Sequence, residues 1–87
     1  SGARMKSFLY YQKSFFGATE DEILGDLRSS LTANPRNRDA LFRLYKIYYA
    51  KKDWRRAQYY LKQVVALDPL NTEVLRLNSE LNSLLGK

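Results

Sequence analysis

Cysteine and histidine are both absent from this chain of 87 residues, which also contains only four glycines and two prolines. Without cysteine the chain forms no disulfide bond and offers no thiolate as a nucleophile or metal ligand. Without histidine it lacks the side chain that most often moves protons or binds metals near neutral pH. No apolar run approaches the roughly 18–20 residues that a membrane-spanning helix needs. These absences exclude a disulfide-stabilised fold and the enzyme classes that depend on cysteine or histidine.

The motifs of other enzyme classes are missing as well. The glycines are scattered, so they form no glycine-rich loop of the kind that binds phosphate groups. The one concentration of carboxylates consists of Glu20, Asp21, Glu22 and Asp26. We interpret this cluster as a helix N-terminus, where negative side chains complement the helix dipole, because consecutive carboxylates on a helix point in directions too different for a metal site. The sequence therefore predicts a protein that is not an enzyme and uses no cofactor and no metal.

Chain length limits the number of domains, and net charge indicates which kinds of partner are compatible with the chain. A chain of this length is enough for one small domain, which buries only about 60–65% of the surface that the unfolded chain exposes. The net charge of +6 is compatible with an acidic protein, nucleic acid or an anionic membrane surface as partner, and does not decide among them. Residues 1–4 precede Met5 and resemble the remnant of a tag, so we predict one domain over residues 5–87.

The chain contains an internal repeat. The tetrad NPRN at residues 34–37 recurs as DPLN at residues 68–71, an interval of 34 residues. The same interval aligns further pairs of like residues, such as Phe8 with Phe42, Tyr11 with Tyr45, Leu27 with Leu61 and Leu41 with Leu75. In helical repeat proteins each helix pair buries its apolar face against the next pair, which explains a common period. We interpret the tetrads as turns in which proline ends one helix hairpin and asparagine caps the next helix.

Apolar residues recur at helical spacing in five segments, which predicts an all-α fold of five helices, about 12 residues each, joined by loops of about 2–5 residues. The predicted N-caps are Thr19, Asn37, Asp53 and Asn71. The predicted apolar faces, in chain order, are Phe8, Leu9, Tyr11, Phe15 and Phe16; Ile23, Leu24, Leu27 and Leu31; Leu41, Leu44, Ile47 and Tyr48; Trp54, Ala57, Leu61, Val64, Val65 and Leu67; and Val74, Leu77, Leu81 and Leu84.

Residues 38–71 resemble one complete tetratricopeptide repeat, a pair of antiparallel helices with the period seen here. The residues that carry the resemblance are Leu41, Leu44, Tyr48, Asp53, Trp54, Ala57, Leu61, Val64 and Pro69. Two positions depart from the family pattern, because Tyr45 stands where a small residue is usual and Lys52 stands where glycine is usual. The resemblance implies a short right-handed superhelical stack of antiparallel helix hairpins, with a degenerate repeat over residues 5–35 and a capping helix over residues 72–87.

The resemblance also implies a binding site, because the first helix of each repeat lines the concave groove in this family. The groove residues that this register implies are Phe8, Gln12, Phe15, Asp39, Phe42, Arg43, Lys46 and Tyr49. Their aromatic rings and cations suit a peptide that carries apolar anchors and acidic residues. The alternative is that the rings belong to the core, which is the usual role of an aromatic stripe at helical spacing and which we favour for Tyr11 and Tyr45.

Two basic segments have alternative interpretations of their own. The first comprises Lys51, Lys52, Trp54, Arg55 and Arg56. It either binds nucleic acid or anionic lipid, with the Trp54 ring available for stacking, or is a solvated turn between helices, which we favour. The second is MKSFLYYQKSFFG, residues 5–17, which is either the first helix of the degenerate repeat, as we favour, or a segment that lies at a membrane interface.

The sequence therefore predicts a non-catalytic protein–protein interaction module, an adaptor or scaffold within a larger protein or assembly. The predicted partner is a protein or peptide, and self-association is a further expectation. Nucleic acid or an anionic membrane surface, bound through the basic faces, is the alternative partner. The absence of cysteine is compatible with the cytoplasm, which we favour, and also with the bacterial periplasm or a membrane-anchored context.

Overall fold

The computed structural model describes residues 2–14 and 19–86, and within them it contains five α-helices and no β-strand. The helices are α1 (Gly2–Lys13), α2 (Glu20–Ala33), α3 (Arg38–Ala50), α4 (Trp54–Leu67) and α5 (Thr72–Leu84). The predicted all-α class and helix number are confirmed, while the right-handed superhelix stays a prediction. Helix α1 starts within residues 1–4, the predicted tag remnant. No described helix combines the length and the hydropathy that crossing a membrane requires.

The predicted N-caps begin their helices as expected. Each cap side chain accepts a hydrogen bond from the backbone N–H three residues later. The pairs are Thr19 with Glu22, Asn37 with Ala40, Asp53 with Arg56 and Asn71 with Val74, at 3.1, 3.1, 3.2 and 3.1 Å. Such a cap is worth about 1 kcal/mol, because the first N–H groups of a helix have no partner inside the helix. Helix starts are therefore fixed by local sequence.

The chain forms two compact units, Ser1–Ala40 and Leu41–Lys87, which we call the first and second units. The first unit buries Leu24, Leu27 and Ala40. The second unit buries Leu41, Leu44, Tyr45, Tyr48, Ala57, Leu61, Val64, Val74 and Leu81. Most of these residues lie on the predicted apolar faces. Leu84, predicted on the apolar side of α5, is 46% exposed.

Helix α1 departs from the predicted pattern. Two residues of its predicted apolar face, Phe8 and Leu9, are 51% and 56% exposed, so neither belongs to the core, and whether Phe8 lines a groove stays a prediction. The other two phenylalanines predicted on that face, Phe15 and Phe16, lie outside the described residues. The residue of α1 that is buried is Ser7, at 1% exposure. Helix α1 therefore turns a polar side chain inward and large apolar side chains outward.

Ser7 is buried because it belongs to a hydrogen-bonded cluster with Ser30 and Asn37. The Ser7 hydroxyl donates to the Ser30 carbonyl at 2.8 Å, and the Ser30 hydroxyl donates to the Ser7 carbonyl at 2.9 Å. The Asn37 amide donates to both hydroxyl oxygens, at 2.8 and 3.1 Å. Buried hydroxyls are tolerated when they are paired in this way. One repeat period later the positions of the two serines are Leu41 and Val64, both buried, so the first unit has a polar contact where the second has apolar residues.

The turn between α3 and α4 places a lysine in a left-handed backbone conformation. Lys52 has a φ of +60° and is the one residue other than glycine with positive φ among the described residues. The Lys52 N–H donates to the Tyr49 carbonyl and the Asp53 N–H to the Tyr48 carbonyl, both at 2.9 Å. This pair of hydrogen bonds is the helix C-terminal motif that normally contains glycine. The usual glycine of the resembled family is therefore explained by backbone geometry.

We expect Lys52→Gly to raise the free energy of unfolding by about 1 kcal/mol, because glycine adopts positive φ without the steric cost that a Cβ carries. In a chain of this size that change raises the melting temperature by about 4–8 °C. Lys51→Gly is the matched control, since it removes the same charge one residue earlier. The control is expected to lower stability by roughly 0.5–1 kcal/mol. A loss of stability in both variants, measured by urea unfolding, would contradict the backbone argument.

The serine cluster generates a second prediction. Ser30→Ala is expected to lower the free energy of unfolding by about 1–2 kcal/mol, because buried groups of Ser7 and Asn37 then lose a hydrogen-bond partner. Ser79→Ala is the control, since Ser79 is an exposed serine on α5 and its replacement is expected to change stability by less than about 0.5 kcal/mol. Urea unfolding followed by circular dichroism measures both. Equal stability of the two variants would show that the Ser30 hydroxyl contributes nothing to the free energy of unfolding.

Candidate binding face

Four aromatic rings form a continuous ladder along α3 and into the start of α4. The ring centroids of Phe42 and Tyr45 are 5.5 Å apart, those of Tyr45 and Tyr49 are 5.7 Å apart, and those of Tyr49 and Trp54 are 5.1 Å apart. The rings are tilted or edge-on to one another, which is the favoured geometry for aromatic pairs. Tyr45 is buried at 3% exposure, and the other three rings are half-buried. The ladder is therefore anchored in the core through Tyr45, and its other three rings are partly exposed.

A cation lies beside the first ring of this ladder. The Lys46 ammonium is 5.3 Å from the centroid of the Phe42 ring, within the range of a cation–π contact. Lys46 itself is exposed and Arg43, one residue after Phe42, is half-buried. The sequence predicted these residues as a basic rim beside an aromatic surface, and the structure does place Lys46 against Phe42. The α3 side of the ladder is thus positively charged.

Helix α5 contributes a charged network to the same face. The Tyr49 hydroxyl donates to the Glu80 carboxylate at 2.7 Å. Arg76 donates to Glu80 at 3.1 Å and to Glu73 at 2.6 Å. These side chains are exposed, so each ion pair adds little to stability. We call the group Phe42, Tyr45, Lys46, Tyr49, Arg76 and Glu80 the α3–α5 face.

The pKa values of both tyrosines on this face are raised. The pKa of Tyr49 is raised chiefly because its hydroxyl donates to the Glu80 carboxylate, a hydrogen bond that the phenolate cannot make. The pKa of Tyr45 is raised chiefly by burial, which disfavours the charged form. A pKa raised in the folded state stabilises the fold below the unfolded value of about 10, and this contribution is lost as the pH rises through the folded-state pKa.

The remaining predicted groove residues are placed as follows. Phe8 and Gln12 are exposed on α1 in the first unit, and Phe15 lies outside the described residues. Asp39 is exposed in the first turn of α3, where its carboxylate lies 3.8 Å from the Arg38 guanidinium. In the second unit the structure brings together Phe42, Lys46 and Tyr49. Tyr45, for which the sequence favoured a core role, is buried.

The predicted basic patch is organised around the turn between α3 and α4. Lys51, Lys52 and Arg55 are exposed. Arg56 bonds to Asp53 at 2.7 Å, which lowers the pKa of the carboxyl, and its guanidinium lies 5.9 Å from a tyrosine ring centroid. Trp54 is half-buried and its ring meets Tyr49 edge-on. Trp54 and Arg56 are therefore engaged in contacts within the second unit.

The charged residues of α5 are the part of the face that sequence reasoning missed. Glu73, Arg76 and Glu80 stand one period of 34 residues after Asp39, Phe42 and Lys46. Extending the same register by one repeat would have identified them.

No protein-family model and no curated protein matches the chain. The resemblance to tetratricopeptide repeats therefore rests on the residue pattern of 38–71, and the family stays a proposal.

Glu80→Gln is expected to lower the pKa of Tyr49 towards the ordinary tyrosine value of about 10, because the negative charge that opposes phenolate formation is removed. A pH titration by NMR of protein labelled with ¹³C-tyrosine measures this pKa, and Tyr49→Phe assigns the signal. Glu73→Gln makes the same charge change at a carboxylate that bonds to Arg76 rather than to Tyr49, so a smaller effect is expected. If both variants shift the Tyr49 pKa equally, the hydrogen bond is not the cause.

Proposed function

We propose that the chain is a tetratricopeptide-like, non-catalytic interaction module that holds a segment of a partner protein on the α3–α5 face. The observation that supports this most is the aromatic ladder, whose half-exposed rings are held by one another, by Lys46 and by Glu80. Tyr and Trp are among the residues that contribute most to binding energy at protein interfaces, and side chains that are already ordered lose less entropy on binding. The resemblance of residues 38–71 to a tetratricopeptide repeat supports the same proposal, because the first helices of that family serve as binding surfaces.

The charges around the ladder define the chemistry of the partner. Phe42 and Tyr49 offer apolar surface to an aliphatic or aromatic anchor. Lys46 lies on the α3 side and suits an acidic residue of the partner. On the α5 side Glu80 and Arg76 form an ion pair. Polar groups of the partner segment can form hydrogen bonds with both of these charged side chains. The partner segment therefore carries an apolar anchor with an acidic residue next to it.

The expected affinity is modest. The face belongs to two short helices of a single unit, and association must offset lost translational and side-chain freedom before any contact contributes. The rings lose less freedom than mobile side chains, because they already contact one another in the free chain. Higher affinity requires a second point of attachment, such as another binding module in the same assembly.

Binding of nucleic acid is the second candidate function. One observation favours it, since residues 41–67 contain seven Lys and Arg residues and a single acidic residue, Asp53. The contacts of Trp54 and Arg56 with their neighbours in the second unit weigh against it, because Trp54 was the expected stacking platform and Arg56 is one of the four cations of the predicted patch. Salt dependence separates the candidates, because binding to phosphates weakens steeply as salt rises.

The proposed function is tested by selecting binders from a random peptide library displayed on phage. We expect selected peptides to combine an apolar anchor with acidic residues, and Lys46→Glu to weaken the best peptide by at least about tenfold, the effect of losing one charge-assisted contact. Lys62→Glu makes the same charge change on an exposed position of α4 and is the matched control. Fluorescence anisotropy of labelled peptides measures the affinities.

Two results would contradict the proposal. Selection without any enriched peptide would mean that the α3–α5 face binds no peptide segment of this chemistry. Equal weakening by Lys46→Glu and Lys62→Glu would mean that the peptides bind to the net positive charge and not to the face.

A further inference from the structure

Helix α1 exposes the kind of residues that helices usually bury. Met5, Phe8 and Leu9 are 59%, 51% and 56% exposed, and Tyr10 is 37% exposed. The helix buries Ser7 instead, which bonds to Ser30 and Asn37. Single exposed apolar residues are ordinary, but several adjacent ones on one helix mark an interaction surface.

Two of the exposed apolar side chains, Met5 and Leu9, lie on the side of α1 that faces away from Ser7, while Phe8 and Tyr10 lie on its two flanks. At 100° per residue, Met5 and Leu9 each point within about 20° of the direction opposite to Ser7, and Lys6 and Lys13 border Leu9. We call Met5, Lys6, Leu9 and Lys13 the outer face of α1. Lys6, Leu9, Tyr10 and Lys13 line an open groove of about 220 Å³, so the lysine stems and the apolar side chains form one surface.

The charge of α1 has one sign. The helix sequence GARMKSFLYYQK contains Arg4, Lys6 and Lys13 and no acidic residue. The Lys13 ammonium lies 3.7 Å from the Asp26 carboxylate and is 69% exposed. Such surface pairs contribute about 0–1 kcal/mol, so they yield readily to a stronger anion. The outer face of α1 is therefore complementary to a partner that is both apolar and anionic.

We propose that the outer face of α1 binds the surface of an anionic phospholipid membrane, with α1 lying in the plane of the headgroups. Met5 and Leu9 enter the boundary between headgroups and acyl chains, while Lys6 and Lys13 extend their ammonium groups to lipid phosphates. The two lysines stand about 10 Å apart along the helix, and a membrane supplies anionic groups to both. Tyr10 has the apolar ring and polar hydroxyl that suit the interface.

A membrane fits these observations better than an acidic peptide does. The large side chains project outward from a single helix, and the groove beside them is open. A fluid surface closes around projecting side chains, whereas a peptide needs matching cavities to gain similar contact. This proposal is independent of the peptide-binding function of the α3–α5 face, which belongs to the second unit.

The test is sedimentation of the full chain with lipid vesicles. One set contains phosphatidylcholine alone and the other equal parts of phosphatidylcholine and phosphatidylglycerol. We expect binding to the mixed vesicles only. Lys6→Gln with Lys13→Gln is expected to weaken that binding about thirtyfold, and Met5→Ser with Leu9→Ser about tenfold or more.

The matched control is Arg36→Gln with Lys62→Gln, which removes two charges from exposed positions outside α1 and outside the basic turn between α3 and α4. The control is expected to bind as the wild type does, and circular dichroism checks that every variant keeps its helicity. Failure to bind mixed vesicles would overturn the proposal. So would equal loss in the control, which would indicate attraction by net charge alone. Tight binding of an acidic, apolar peptide to α1 without vesicle binding would assign the face to a protein partner instead.

Discussion

Helices of 12 to 14 residues are marginal in water by themselves, so each helix of this chain depends on its ends and on one packed face. Helices α2 to α5 each begin at a residue whose side chain accepts a hydrogen bond from one of the first backbone N–H groups. Asn37 and Asn71 do this at equivalent positions of the repeat, at the same distance of 3.1 Å. The proline two residues before each asparagine separates successive helices. Helix boundaries therefore recur every 34 residues, as the apolar residues do.

The two copies of the repeat differ in how they use equivalent positions. In the second unit Leu41 and Val64 are buried apolar residues, as the repeat pattern requires. In the first unit the same positions are Ser7 and Ser30, whose hydroxyls bond to each other's carbonyls and to Asn37. A polar cluster fixes geometry but removes little apolar surface from water. Helix α1 is consequently joined to α2 by the hydrogen bonds of Ser7, and Met5 and Leu9 are exposed on the opposite side.

Local features were predictable from the sequence and non-local ones were not. N-caps and helix ends depend on residues a few positions apart, which is why Asn37 and Asp53 were identified correctly. The side that α1 turns inward depends on its partner, Ser30, 23 residues away. An apolar pattern cannot reveal a serine that is buried because another serine faces it. The hydrogen bond between Tyr49 and Glu80 spans 31 residues and needed the structure for the same reason.

The charged side chains of α5 bear on recognition more than on stability. Arg76 bonds to Glu80 on an exposed surface, where ion pairs contribute about 0–1 kcal/mol each. Their geometric effect is larger, because Glu80 holds the Tyr49 hydroxyl at 2.7 Å and so fixes one ring of the aromatic ladder. A ring that is fixed before binding loses little conformational entropy when a partner covers it. On the proposed function, replacement of Glu80 therefore weakens recognition while the core residues around Tyr45 keep the second unit folded.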